Sequence, residues 1–293
     1  MGKLKSSCSL KRKGLHKVLT VLMVFCLCFS VFVVYDNFSL DIDKIKMESK
    51  KTEQLQGLKI AHISDYHNRK SRIVNNALFD AIDEEKPDLI FITGDLIDKN
   101  KTDIPTSLSF VEKLCEYAPV YYVTGNHECN VSIEDQKEFD DFIQSLRNIG
   151  VFVLRQNKAV FETSDGKKVN VYGIDDPYFH CTYSYEVSGA TAYLCDEFEV
   201  NKGEYNILLA HHPEQLPVYA EYGFDLVFSG HAHGGQGRFF NQGLIAPDQG
   251  FFPEYTSGKY VEDNTTMILS RGIGNSIIPV RVFNKSHLIF VEF

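Results

Sequence analysis

Apolar residues are distributed along the 293-residue chain in three regimes. Val18 to Tyr35 runs uncharged (VLTVLMVFCLCFSVFVVY) between a lysine-rich leader and Asp36. From Leu58 to Gly150, short apolar runs alternate with helical spacing. LKIAHIS (58–64), DLIFIT (88–93) and VYYVT (120–124) read as buried strands. Residues 73–85, 106–117 and 133–148 read as helices, the first broken by Pro87-Asp88 and the last closed by Gly150. Beyond residue 150 the pattern turns strand-rich, with strands expected at 151–154, 159–162, 169–174, 205–210 and 225–229. Further strands are expected near 266–270, 280–283 and 288–292. Ser164-Asp165-Gly166-Lys167 reads as a hairpin turn, and 176–197 as loop and helix. Strand–helix alternation followed by a run of strands predicts an α/β fold. Its expected form is a four-layer α/β/β/α sandwich of two mixed sheets flanked by helices.

Charge changes the reading of the first segment. Lys3, Lys5, Lys11, Arg12, Lys13 and Lys17 precede the apolar run. Eighteen helical residues rising 1.5 Å each span about 27 Å, enough for a hydrocarbon core. The exit, Phe32-Val33-Val34-Tyr35-Asp36, lacks the small residues of a signal-peptidase site. Bulky Phe25 and Leu27 before Cys26 and Cys28 speak against a lipoprotein anchor. Residues 1–17 are therefore expected to be a basic cytoplasmic leader and 18–35 an uncleaved transmembrane signal anchor. Residues 36–57 are expected to be a polar tether, and 58–293 one domain outside the cell membrane.

Residues 1–57 hold ten Lys/Arg against five Asp/Glu, so the remainder of this −9 chain is strongly acidic. That balance disfavours nucleic acid as a partner. Four cysteines, Cys115, Cys129, Cys181 and Cys195, are scattered through the body without a CxxC pair, so a structural zinc site is not expected. Cys181 and Cys195 are near enough in sequence for a disulfide, with free thiols the alternative.

The chemistry collects at strand ends. Five expected strands finish in Asp65-Tyr66-His67, Gly94-Asp95, Gly125-Asn126-His127-Glu128, His211-His212-Pro213 and Gly230-His231-Ala232-His233. Strand ends in α/β sheets converge on one edge. Carboxylate, imidazole and amide oxygen together form a mixed N/O donor set suited to Mn, Fe or Zn. The glycines before Asp95, Asn126 and His231 are expected to allow sharp turns.

The series DYH…GD…GNHE…H…GHAH resembles the calcineurin-like metallophosphoesterase superfamily across residues 58–293. GHAHGGQ (230–236) and SRGIGNSIIPVR (270–281) resemble its bacterial membrane-anchored branch. The resemblance implies two divalent metals, Mn favoured. Asp65, His67 and His233 would bind the first, Asn126, His211 and His231 the second, and Asp95 would bridge. It implies attack on phosphorus by a metal-activated hydroxide. His127 would protonate the leaving group, with Asp65 or another carboxylate tuning its pKa.

His212 reads as an exposed neighbour of His211, with an outer-shell or substrate-facing role as alternatives. His62 reads as core, although a functional role stays open. His180 sits in the 176–197 segment, with lining of the substrate cleft an alternative. Tyr66 stands where Leu is common and would alter the pocket wall. Asn284-Lys285-Ser286-His287 replaces a more usual turn without catalytic consequence.

The implied substrate is a phosphodiester, phosphomonoester or lipid-linked pyrophosphate near the membrane. Tyr178, Phe179, Tyr183, Tyr185, Phe239, Phe240, Phe251 and Phe252 are candidate cleft walls. A non-catalytic metal-binding scaffold is the competing class.

Overall fold

The computed structural model describes residues 2–48, 50–162, 166, 168–239, 242–275 and 279–293. Phe240 and most of the expected 164–167 turn lie outside the described residues.

Sheet A has the order β1-β16-β2-β3-β4-β5: β1 (Leu40–Lys46), β16 (Ser286–Glu292), β2 (Lys59–Ile63), β3 (Leu89–Thr93), β4 (Val120–Val123) and β5 (Phe152–Val153). Sheet B has the order β14-β15-β9-β8-β7-β6: β14 (Gly258–Glu262), β15 (Thr265–Leu269), β9 (Leu226–Ser229), β8 (Asn206–Leu209), β7 (Lys168–Gly173) and β6 (Asn157–Glu162). Strands β2 to β5 run parallel, as do β7, β8, β9 and β15. Four two-residue strands, β10 to β13 (Arg238–Phe239, Gln242–Gly243, Ile245–Ala246, Gly250–Phe251), form two small hairpins.

Helices α2 (Arg72–Glu85), α3 (Ile104–Cys115) and α5 (Gln136–Ile149) cover sheet A; α6 (Val187–Asp196) and α7 (Leu216–Tyr222) cover sheet B. Their apolar spacing explains the layers. Val74, Leu78 and Ile82 of α2 follow each other at single-turn steps and pack with Phe110, Phe142 and Ile90. Ile60, Phe91, Ile207 and Phe228 fill the space between the sheets. Tyr172, Leu194, Leu216 and Tyr219 form the third buried layer. The expected four-layer sandwich is therefore the observed fold.

The expected single helix at 133–148 is two. Asp135 ends α4 (Asn126–Glu134) with extended backbone, and its carboxylate accepts the Glu138 N–H (3.0 Å) to cap α5. Residues 280–283 are not a strand; only Val282 makes an isolated bridge, with Gly237.

The largest difference lies at 36–57, expected as a tether. Leu40 to Lys46 is an edge strand in parallel register with β16, from Leu40 on Ser286 to Lys46 on Glu292. Its sequence, LDIDKIK, is half exposed and polar, so no period-2 burial signal marks it. Leu40 and Ile45 pack at the margins of the two cores, and ion pairs add to the pairing with β16. Asp41 pairs with Arg271 (3.0 Å) and Lys285 (3.1 Å), and the His287 ring donates to Asp43 (2.9 Å). Helix α1 (Gly2–Asn37) precedes it, and residues 15–37 form an apolar stretch long enough to cross a membrane; its most apolar part is unburied, while Asp36 near its end is buried.

His62 is core, as read. It is fully buried in β2, its Nε2 lies 2.8 Å from the Thr93 hydroxyl, and its ring meets Phe228 edge-on. Burial pushes its pKa down to about 3. The unfolded chain then binds the proton first, so stability is complete above about pH 6.5 and falls as pH drops toward 3. His62→Gln keeps a partner for Thr93 but cannot titrate. Thermal midpoints of the full chain in mild detergent should therefore fall less steeply with acid in His62→Gln than in the parent. Parallel pH profiles would remove His62 from the acid response.

Candidate metal centre

The carboxyl ends of β2, β3, β4, β8 and β9 open onto one crevice, and the strand-end residues meet there. Asp65, His67, Asp95, Asn126, His211, His231 and His233 are brought together by a chain of short contacts. His67 Nε2 lies 3.2 Å from His233 Nε2. Asp65 Oδ1 is 3.3 Å from His233 Nε2. Asn126 Oδ1 is 3.0 Å from His231 Nδ1 and 3.3 Å from His211 Nε2, and those two ring nitrogens are 3.2 Å apart. Asp95 Oδ2 stands between the two groups, 3.6 Å from His67 Nε2 and 3.3 Å from His211 Nε2.

Ring nitrogens facing ring nitrogens and carboxylates, all buried, make an acceptor-rich cage. Burial drives the His67 pKa down to about 3 and holds that of His233 well below the ordinary value, so both rings present lone pairs. His211 Nδ1–H donates to the Thr93 carbonyl (2.7 Å), which leaves Nε2 free as a donor to a cation. A divalent ion pair fits this set. Among the described residues, Asp65, His67, Asp95 and His233 form one group able to hold a metal, and Asp95, His211 and His231 another.

The backbone is strained where these side chains leave it. Asp65 (φ 51°), His67 (48°), Asp95 (52°), His231 (65°) and His233 (47°) are all left-handed. Non-glycine residues seldom adopt this conformation, at a cost of about 1–3 kcal/mol each when they do. The glycines act differently from the sharp turns expected. Gly94 does have φ +84°, but Gly125 and Gly230 do not lie in that region. A Cβ on Gly125 would strike Asp95 Oδ1, and one on Gly230 would strike Ser64 Oγ and Asp65 Oδ2. They are small because loops carrying candidate ligands cross there.

Several groups without an assigned role in the sequence support the cage. Glu128 clamps two loops: Oε2 accepts N–H from Asp95 (2.9 Å) and Gly125 (2.8 Å), and Oε1 accepts from Ile97 (3.0 Å). Burial and the Asp95 charge push its pKa up to about 7. Asp248 accepts from His231 Nε2–H (2.8 Å), leaving Nδ1 toward Asn126, and Tyr178 donates its hydroxyl to the same carboxylate (2.7 Å). Asn284 donates to the carbonyls of His233 (2.7 Å) and Gln236 (2.9 Å), so the 284–287 turn does bear on the site. Asp248 and Asn284 gave no local motif. Glu128, inside a strand-end motif, was the one with a readable signal.

His127 stands beside the cage. Its backbone N–H donates to Asp95 Oδ1 (2.8 Å), its Nε2 is 4.0 Å from Asp95 Oδ2, and its Nδ1 accepts the Lys99 N–H (3.1 Å). Asp98 Oδ1 lies 3.6 Å from Nδ1, beyond hydrogen-bond range, and acts as a nearby charge. Burial opposes protonation of His127, but the Asp95 and Asp98 carboxylates outweigh it and raise the pKa. Asp95 and Asp98, rather than Asp65, are the tuning carboxylates.

His212 is buried, contrary to the exposed reading. It is held between Asp176 (3.0 Å) and Glu214 (2.7 Å), whose charges overcome burial and raise its pKa well above the ordinary value. Tyr66 turns away from the crevice and stacks on Phe110 at 3.9 Å. His180 is exposed, its ring 5.6 Å from Tyr193 and outside the cage. Phe179 packs beneath, near Phe139, while Tyr183 and Tyr185 stack on each other at the surface. Cys115, Cys129, Cys181 and Cys195 are free thiols.

Residues 58–235 match the model of the calcineurin-like phosphoesterase family. The chain is 29% identical over 233 residues to the uncharacterized metallophosphoesterase YkuE of Bacillus subtilis, covering 78% of this chain and 74% of that protein. It is 25% identical over 256 residues to YkoQ of the same organism, covering 84% and 89%. Among solved structures, TT1561 of Thermus thermophilus aligns with a TM-score of 0.47 and 11% identity, over 73% of this chain and 89% of that one.

Proposed function

The chain belongs to the calcineurin-like phosphoesterase family, and on that premise we propose that it hydrolyses a membrane-proximal phosphoester with two divalent ions, manganese favoured. Asp65, His67 and His233 would hold one ion, Asn126, His211 and His231 the other, and Asp95 would serve both. The observation that carries this reading is the strained backbone at five of these seven residues. Such strain persists only where surrounding structure over-determines it, and here it serves the convergence of donor atoms.

When bound, the ion pair lowers the pKa of a water and offsets charge on the phosphoryl oxygens. The chain's own residues do the rest. Thr93 and Asp248 fix the tautomers of His211 and His231 through their outer nitrogens. Glu128 locks the Asp95 and Asn126 loops together through three backbone N–H groups. Asp95 and Asp98 favour protonation of His127; once protonated, with Nδ1 releasing the Lys99 N–H, it donates its Nε2 proton to the departing oxygen. Helix α1 anchors the enzyme, with its lysine-rich start in the cytoplasm and the domain outside. Substrates are phosphodiesters, phosphomonoesters or lipid-linked pyrophosphates of the envelope.

The test uses the full chain, purified in detergent, stripped of metal and reloaded with manganese. It is expected to bind about two ions per chain, as a two-metal site requires, and to hydrolyse a chromogenic phosphodiester or monoester only when loaded. Phospholipid, lipid-linked pyrophosphate and nucleotide substrates then rank the classes. Full metal content with no hydrolysis of any of them would instead identify a metal-binding scaffold.

A further inference from the structure

Helix α1 does not swing free of the body. Near its end Phe32 packs on Phe283, ring centroids 4.7 Å apart. The Asn37 side chain accepts the Arg281 N–H (2.9 Å) and donates to the Arg281 carbonyl (2.7 Å). Asp36 accepts the Asn284 N–H (2.8 Å), and the Arg69 guanidinium donates to the Asn37 carbonyl. The apolar helix therefore leaves the body at one fixed place, against residues 281–284.

That place borders a set of exposed aromatic rings. Gly237 bridges to Val282, and the Arg238 N–H donates to the Val282 carbonyl (3.0 Å), which sets the β10–β11 hairpin beside the helix exit. Phe239 on this hairpin is 63% exposed. The adjoining β12–β13 hairpin is tied in by the Phe252 N–H donating to the Leu244 carbonyl (2.9 Å) and presents Phe251 (79% exposed) and Phe252 (70%). Phe38 and Phe283, at the exit itself, are also exposed.

Two of these rings carry an unusual backbone. Phe252 and Phe283 both have φ 53°, where a bulky residue is a true outlier. In water the strain gains little burial: the Phe252 ring is 70% exposed, and the Phe283 ring, although it meets Phe32, is 55% exposed. An aromatic cluster of this kind calls for an apolar cover.

We infer that Phe38, Phe239, Phe251, Phe252 and Phe283 make a second membrane contact, lodged at the headgroup–acyl boundary around the exit of α1. The inference rests on the proposed anchoring by α1 and extends it. The occupant is bilayer lipid rather than a protein, because α1 places the rings where the membrane surface begins. Side chains in such contacts sit about 5–10 Å into the boundary, within the reach of a phenyl ring. Asp248, in the loop between β12 and β13, touches His231, so one rim of the candidate metal centre belongs to the same hairpin. The crevice then stands at headgroup height.

The chain contains no tryptophan, so single introduced tryptophans report position without background. Full-length Phe239→Trp and Phe252→Trp are placed in nanodiscs of phosphatidylcholine and phosphatidylglycerol, with and without brominated acyl chains. Leu22→Trp within α1 reports the anchor, and Val160→Trp on β6, at the far edge of sheet B, reports solvent. The expected result is bromine quenching of both hairpin tryptophans to within about twofold of Leu22→Trp, as interfacial insertion requires. Val160→Trp should be unquenched. Hairpin tryptophans that behave like Val160→Trp while Leu22→Trp is quenched overturn the second contact and leave the anchor standing. An unquenched Leu22→Trp overturns both.

Discussion

Asp95→Asn should remove activity and metal together. Its Oδ2 lies within 3.6 Å of ring nitrogens from both halves of the cage, and Oδ1 accepts the His127 backbone N–H. An amide in its place offers a weaker ligand, and its NH2 would point either at a cation or at that N–H. A metal pair supplies several kcal/mol of charge stabilisation in the transition state. At about 1.4 kcal/mol per tenfold change, its loss should lower turnover roughly a thousandfold or more. The measurement is metal content by mass spectrometry alongside hydrolysis of a chromogenic ester. Asp95→Asn with full activity and full metal would end the bridging assignment.

His127→Ala should separate chemistry from metal binding. Its side chain contributes no atom to any candidate metal group among the described residues, so metal content should stay near that of the parent. Loss of a positioned general acid typically costs about 10²–10⁴ in rate, and only when the leaving group needs a proton. Alkyl phosphoesters should therefore suffer that loss while nitrophenyl esters are nearly unaffected. Equal losses on both would reject proton donation.

The pH dependence has a definite sign. Nearby carboxylates raise the His127 pKa, so the protonated form persists to higher pH and the alkaline limb lies above that of an ordinary imidazole. Asp98→Asn removes one of those charges and should move the alkaline limb for alkyl esters to lower pH, with metal content unchanged. An unmoved limb would leave the tuning to Asp95 and Glu128.

What was legible in the sequence follows from where information is local. The seven candidate ligands could be read because each sits close to a buried strand end, and five such ends repeat one pattern. Asp248, Asn284 and Asp98 act through partners far away in the chain or through weak local spacing, so nothing beside them in sequence marked their roles. The hydrophobic period located the central strands but missed β1, an edge strand that is mostly exposed and whose partner β16 and charged contacts Arg271, Lys285 and His287 lie far away in the chain. His212 looked like surface because a histidine beside a candidate ligand carries no burial signal. Its burial depends on Asp176 and Glu214, which only the fold brings to either side. The aromatics stand out in the sequence as a group, but only the hairpins divide them into packed and outward rings.

The register of β1 also sets an order of assembly. β16 inserts between β1 and β2, parallel to one and antiparallel to the other. During synthesis β1 is made early in the body, yet its partner follows far later in the chain, with Ser286 opposite Leu40. Until then both β1 and β2 present unpaired strand edges, a hazard for mispairing, and closing so long a loop is slow. A nascent chain halted before residue 286 would hold every candidate ligand but an unclosed sheet. Synthesis of residues 286–292, rather than completion of the ligand loops, is the event that lets sheet A close.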